Sequence, residues 1–239
     1  MQIKVIEKVI QILEVICISE NDVKLKNIIQ KTNLNQATAY HIISTLLYHG
    51  LISKNNKDKK FSIGPKFLYL AQKYFDGTYL YNELFLKMEK LSQKINENSY
   101  IFLLDYSFPI LLKSFKCTHS VRPVDHSIQL TQSHASAWGK LLLSTLSEAK
   151  LVEHCQKYKL NKFTKNTITN INNLKKELEN VKKVGYSFDN EETEEGLYCI
   201  GLKKEDHIKN TIFGLVISIP KQRFSEKLKI KIIEELKTK

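Results

Sequence analysis

The stretch QATAYHIISTLLYHG, residues 36 to 50, narrows the possible folds more than any other part of the chain. Ala39, Ile42, Ile43, Leu46 and Leu47 recur at i, i+3, i+4, i+7 and i+8, the period of a helix that buries one stripe. Asn35 stands where a helix N-cap belongs, and Gly50 where a helix stops. The other face carries Gln36, Thr38, Tyr40, His41 and Ser44, all small, polar or aromatic. Two amphipathic helices precede it. One runs from Val5 to Cys17, with Ile6, Val9, Ile10, Leu13, Ile16 and Cys17 at helical spacing; the other centres on Leu25, Ile28 and Ile29. Behind it, LISK and KFSIG flank the turn-like NNKDK, which predicts a β-hairpin. Three helices and a hairpin in this order outline a winged helix-turn-helix, with Gln36–Tyr48 as recognition helix and Lys54–Lys60 as wing. The alternative is an ordinary small α/β core with a polar outer helix, but the basic hairpin falls where a wing belongs.

Charge points the same way. The 239 residues carry 37 basic against 25 acidic side chains, a net charge of +12, and residues 1–80 hold 11 and 6 of these. Such an excess suits a polyanionic partner. Arg122 and Arg223 are the only arginines, so the first 80 residues must grip phosphate with lysine, and Lys54, Lys57, Lys59 and Lys60 are the candidates. No apolar run reaches 18 residues, and the start, MQIKVIEKVIQ, lacks an apolar signal core. The expectation is a cytoplasmic protein with no membrane partner. Cys17, Cys117, Cys155 and Cys199 form no CxxC pair, which argues against zinc ribbons and redox motifs. Neither metal nor cofactor is expected.

With 42% hydrophobic residues the rest of the chain can bury a second core. Pro65 can open the helix PKFLYLAQKYF, and YLYNELFLKMEKLSQKIN follows Gly77. These read as linker helices over 65–97, whose aromatics suit either a partner surface or burial against a neighbouring domain. From residue 98 onward, SYIFLLD and PILLKSF are strands joined by a Ser107-Phe108-Pro109 turn. HASAWGKLLLSTL, SEAKLVEHCQKY and NINNLKKELENVKKVG are helices, the last capped by Asn170 and closed by Gly185. GLYCIGL and TIFGLVISIP are strands, and a final helix starts near Phe224. The division is 1–64, 65–97 and 98–239.

This order of blocks resembles an IclR-type bacterial transcriptional regulator. The motifs are TAYHIISTL and FSIG in the winged helix, HASAWGKLLL, then GYSFDNEETEEGLYCI and a terminal ISIP. The likeness covers nearly the whole chain, and GYSFDNEETEEGLYCI is its most specific part. It implies an α+β fold: an N-terminal winged helix-turn-helix, linker helices, and a C-terminal effector domain whose antiparallel sheet is similar to GAF and profilin-like modules. It also implies a homodimer or homotetramer on a partly palindromic double-stranded DNA operator, modulated by a small organic acid. The effector pocket of such proteins is lined at the positions of Trp138, Gly139, Asp189, Leu197, Cys199 and Ser218. In this set of proteins a serine or similar residue is usual where Ala37 stands, and an arginine where His41 stands. With Gln36 suited to adenine and Thr38 or Tyr40 to thymine methyls, the departure predicts an A·T-rich operator. Trp138, the only tryptophan, replaces a small or aliphatic residue; it either narrows the pocket or packs in the core.

The acidic run Asp189, Glu191, Glu192, Glu194 and Glu195 reads as a solvated loop between a helix ending at Gly185 and a strand entering at Leu197. Most of its glutamates should face water, with Lys182, Lys183, Lys203 and Lys204 as partners. A hard cation would need several oxygens converging at about 2.0–2.6 Å. Asp189 differs, because the resemblance turns it toward the pocket. Cys199, His134 and Asp189 also have the residue types of a thiol hydrolase, yet within LYCIGL a thiol behaves as a small hydrophobe. A regulator is therefore preferred over a Cys199 hydrolase and over a nonspecific architectural DNA-binding protein.

Overall fold

The computed structural model describes residues 3–19, 22–75, 79–105, 109–123, 129–207 and 210–238. The chain forms two compact units, 1–78 and 79–239. In the first, helices α1 (Lys4–Ile18), α2 (Leu25–Thr32) and α3 (Gln36–Tyr48) precede strands β1 (Ile52–Lys54) and β2 (Phe61–Ile63) and helix α4 (Lys66–Phe75). The apolar stripes of the three helices close on one core containing Ile12, Ile16, Ile28, Ile42, Ile43 and Leu46, sealed by Ile52 and Phe61 of the hairpin. Val23 and Phe61 exchange both main-chain hydrogen bonds (2.9 and 2.8 Å), so the segment before α2 lies against the hairpin.

Both ends of α3 are fixed by local chemistry. The Asn35 side chain accepts the Thr38 N–H at 2.8 Å. At the other end Gly50 takes φ +68°, and the Leu51 and Gly50 amides return to the carbonyls of Leu46 and Leu47, a Schellman closure. The hairpin root packs on this closure so tightly that a Cβ on Gly64 would lie 2.2 Å from the Gly50 carbonyl oxygen. Recognition helix and wing are thereby one rigid piece.

The second unit is a five-stranded antiparallel sheet in the order β4-β3-β7-β6-β5. Its strands are β3 (Asn98–Leu103), β4 (Ile110–Phe115), β5 (Tyr186–Asn190), β6 (Leu197–Asp206) and β7 (Thr211–Pro220). Helices α5 (Tyr79–Ile95) and α9 (Glu226–Lys237) cover one face through Leu84, Met88, Leu91, Ile232 and Leu236. Helix α6 (Ala137–Leu143) covers the other through Ala137, Trp138, Leu141 and Leu142. Helices α7 (Glu148–Tyr158) and α8 (Ile171–Val184) pack behind α6 on Leu143, Leu151, Leu174 and Leu178. Burial on both faces explains why SYIFLL is a continuous rather than an alternating apolar run. Gly201 lets α6 approach: a Cβ there would lie 2.6 Å from Ser187 Oγ and 3.0 Å from Leu141 Cδ1. The expected Ser107-Phe108-Pro109 turn falls largely outside the described residues.

One expectation fails. Residues 186–190 are a strand, not part of a loop, and 191–196 form the turn of a β5–β6 hairpin. Ser187 and Asp189 point to the buried α6 side and are 0% and 1% exposed, while Tyr186 and Phe188 lie half-buried. The strand buries its polar residues most deeply, while Phe188 on its other face stacks with Tyr198 and Phe224 against the α9-side core. Glu192 is buried as well, and its partner is Lys140, not a lysine near in sequence. Glu191 is held by Lys221, the Gly196 amide and the Tyr198 hydroxyl, while Glu194 and Glu195 are exposed as expected.

Candidate DNA interface and effector site

On α3, Gln36, Tyr40, His41 and Ser44 are exposed along one side. Thr38 is half-buried, and the Asn35 side chain is committed to its cap. The Tyr40 and His41 rings meet edge to face with centroids 6.4 Å apart. Seven residues on from His41, the same side ends in Tyr48, 86% exposed, whose ring meets His49 at 5.1 Å. Its seven-residue spacing from His41 already places Tyr48 on the polar face in the sequence.

In the wing, Lys54, Lys57 and Lys59 are exposed. Lys54 Nζ lies 5.6 Å from the Phe61 ring centre, and the Lys57 amide is held by the Asn55 side chain at 2.9 Å. Lys59 occupies the left-handed region at φ 58°. Lys60 differs from the others because it pairs with Asp58 at 3.3 Å, so its charge is partly spent inside the turn.

In the second unit the strand register lines up Asn98, Ser218, Cys199 and Asp189 across β3, β7, β6 and β5. Three of these four were named from sequence. Asn98 was missed and is fully buried: its oxygen accepts the Cys117 amide (3.0 Å), and its NH2 donates to the Tyr100 hydroxyl (3.2 Å) and the Pro123 carbonyl (3.0 Å). Burial raises the Tyr100 phenol above its ordinary range. Cys199 Sγ lies 3.1 Å from Ser218 Oγ. Burial, reinforced by the Asp189 charge, pushes the thiol far up, which disfavours a thiolate. His134 instead joins the Asn161 carbonyl (2.9 Å) and stacks on Phe163. Among the described residues the hydrolase types are present without a thiol–imidazole hydrogen bond.

Asp189 spends its carboxylate on the turn. Oδ1 accepts the Glu192 amide (2.7 Å) and the Thr193 amide (3.3 Å), and Oδ2 accepts the Thr193 hydroxyl. Burial still raises its pKa, against those hydrogen bonds and the Lys140 charge. Trp138 stacks on Phe102, centroids 6.1 Å apart and planes at 24°, within the apolar cluster that also holds Cys199 and half-buried Leu197. Gly139 is required by contact: a Cβ would lie 2.3 Å from Ser133 Cα. Its amide is capped by Ser136 Oγ at 3.2 Å. Lys140, fully buried, donates to the Glu192 carboxylate, the Phe188 carbonyl (2.8 Å) and Glu177 (3.4 Å). Burial pushes Glu192 up to about 6, with Lys140 opposing.

Behind Ser133, His154 Nε2 lies 2.6 Å from the serine hydroxyl. Burial, with the His134 and Lys157 charges, pushes His154 down to about 4. Because the folded value lies below the usual 6.5, its contribution to stability is complete above 6.5 and is lost as pH falls toward 4. Acidification from pH 7 to 4 is therefore expected to cost about 3 kcal/mol through this group alone. Urea melts at the two pH values should show His154→Gln losing markedly less stability than wild type.

Among the described residues no three His, Cys, Asp or Glu side chains converge as metal ligands, and no helix is long and apolar enough to cross a membrane.

The fold agrees with comparison to known proteins. Residues 5–56 match the IclR helix-turn-helix domain, and residues 72–239 match the bacterial transcriptional regulator IclR C-terminal domain. The chain belongs to the IclR family: it is a transcriptional regulator with an N-terminal helix-turn-helix and a C-terminal effector domain. It is 26% identical over 219 residues to the HTH-type transcriptional regulator KdgR of Dickeya chrysanthemi, covering 92% of this chain and 72% of that one. It is similar to the crystal structure of Thermotoga maritima IclR, with TM-score 0.65, 26% identity and coverage of 99% and 95%. An IclR homologue from Microbacterium hydrocarbonoxydans, complexed with 4-hydroxybenzoate, shares the fold at TM-score 0.75 and 18% identity, with coverage of 93% and 92%.

Proposed function

We propose that this regulator acts in the cytoplasm, without catalytic activity, as a homodimer or homotetramer on a partly palindromic operator. The observation that carries the DNA reading is the exposed polar face of α3 locked to a lysine-bearing wing through Gly50 and Gly64. Residues 1–64 bind DNA, 65–97 link, and 98–239 sense. Gln36, Thr38, Tyr40, His41 and Ser44 face the bases, with Asn35 fixing the helix start. Lys54, Lys57 and Lys59, with Lys60 contributing less, hold phosphates. The effector is a small organic acid; one fold relative is complexed with 4-hydroxybenzoate. It is received between the α6 wall of Trp138 and Gly139 and the strand row of Asp189, Leu197, Cys199 and Ser218, and it acts by favouring one placement of the DNA heads over another.

The test is a salt-matched titration of the protein against its own promoter region and a scrambled duplex, with footprinting of the tighter complex. Two protected half-sites and a large specificity ratio are expected; equal affinity for both duplexes would leave only a nonspecific basic protein. Selected binding should return A·T-rich half-sites, and G·C-rich ones would overturn the readout. Gln36→Ala is expected to cost about 1–3 kcal/mol on the selected operator, while Lys57→Ala should lower the salt slope by about one without changing the preferred sequence.

A further inference from the structure

The least expected group in the second unit is a fully buried ammonium. Lys140 follows Trp138 and Gly139 on a seven-residue helix, and its acceptors lie on three other segments. They are the Glu192 carboxylate in the β5–β6 turn, the Phe188 carbonyl on β5 and Glu177 on α8. A buried charge pair is seldom worth more than well-packed apolar side chains of the same volume. What it adds is direction, because an ammonium fixes its acceptors in space where a methyl group does not.

The turn it reaches is otherwise fastened to Lys221 after β7, through Glu191 and the Gly196 carbonyl, and to the loop before α8. Asn166, Thr164 and Thr167 donate to three successive carbonyls, those of Asn190, Glu191 and Glu192 (2.9, 2.6 and 2.7 Å). These bonds hold the turn to that loop and leave α6 untouched. Ser187 Oγ ties the β5 strand to α6 at the Ala137 carbonyl (2.8 Å), but not the turn. Lys140 is therefore the side chain that joins turn and helix. Asp189 is fastened to that turn by the Glu192 and Thr193 amides and the Thr193 hydroxyl, and Cys199 is its partner on β6, in the second pair from the turn.

We propose that Lys140 is the positioning residue of the effector site: its ammonium sets the β5–β6 turn, with Asp189 and Cys199, against the α6 wall of Trp138 and Gly139. This rests on the effector reading of those residues. Without the ammonium, the two walls lose their fixed spacing even where overall stability is kept.

Trp138 supplies the readout, since it is the only tryptophan in the chain. The experiment compares full-length wild type, the charge-free pair Lys140→Met with Glu192→Met, the shape-preserving Glu192→Gln, and Lys94→Met, which removes an exposed pair with Glu235. Thermal melts identify which variants fold, and acrylamide quenching reports the wall. The charge-free pair is expected to melt near wild type yet show a quenching constant raised about twofold or more, as local opening exposes the indole. Glu192→Gln should show a smaller rise, and Lys94→Met none. Wild-type quenching in a folded charge-free pair overturns the proposal; if that pair does not fold, wild-type quenching in Glu192→Gln overturns it instead. Titrating 4-hydroxybenzoate and other small organic acids into wild-type operator complexes tests the effector reading separately. Raised quenching with no acid response keeps the brace and removes the effector assignment, whereas an acid response with unchanged quenching does the reverse.

Discussion

Gly139→Ala is expected to destabilise the second unit by about 3 kcal/mol or more, the upper end of what overpacking costs. The added methyl would sit 2.3 Å from both the Cα and the carbonyl oxygen of Ser133 and 2.6 Å from its carbonyl carbon. All three are backbone atoms, so no side chain can swing aside. Ser133 cannot retreat either: its hydroxyl donates to the Leu130 carbonyl at 2.7 Å and meets His154 at 2.6 Å. Relief must come from sliding α6 along the sheet, which disturbs the Trp138–Phe102 stack and strains the Lys140 bonds. For a unit of this size the melting temperature should fall by about 6–12 °C. Gly196→Ala is the comparison. Nothing lies within 4 Å of a Cβ there, and only its φ of +86° opposes a side chain, so the cost should be near 1–2 kcal/mol. Equal melting temperatures for the two variants would mean that the start of α6 is far more yielding than its contacts suggest.

What the sequence made legible is what local chemistry decides. The limits of α3, the Asn35 and Asn170 caps and the Gly185 stop all follow from residues within a few positions of each other, and each appears in the structure. The order of blocks then supplied the family and the α+β plan. The failures share a different physics. Strand β5 was hidden because its alternation is short and its most buried positions, Ser187 and Asp189, are polar, satisfied by Ala137 and by the turn, so YSFDN reads as the start of the acidic loop. Glu192 looked solvated because its partner lies 52 residues away, in a helix whose lysine reads as an ordinary polar position. Asn98 went unnoticed because its role depends on register with Ser218 across two strands distant in sequence. A buried polar group is legible only through its partner, and here Ser187, Glu192 and Asn98 each have a partner on another element of the fold.

Arg223→Met should rank with Gly139→Ala, for the opposite reason: it removes an atom group rather than adding one. Glu97 is only 2% exposed, and Arg223 grips it with two parallel bonds, Nε to one oxygen and Nη2 to the other at 2.8 Å. The remaining guanidinium nitrogen, Nη1, donates to the Val121 carbonyl at 3.1 Å, so a single side chain joins the α5–β3 junction, the segment after β4 and the turn after β7. Truncation leaves a buried carboxylate without its counter-charge, which costs about 3–5 kcal/mol. Arg223→Lys should recover only part, because an ammonium cannot reproduce the two-pronged grip and also reach Val121. The paired change Arg223→Met with Glu97→Met should return to within about 1–2 kcal/mol of wild type, since neither charge then remains unpaired. A thermal or urea melt of the full chain separates these cases. If the single and paired variants were equally unstable, the damage would come from lost packing around the arginine stem rather than from the stranded carboxylate.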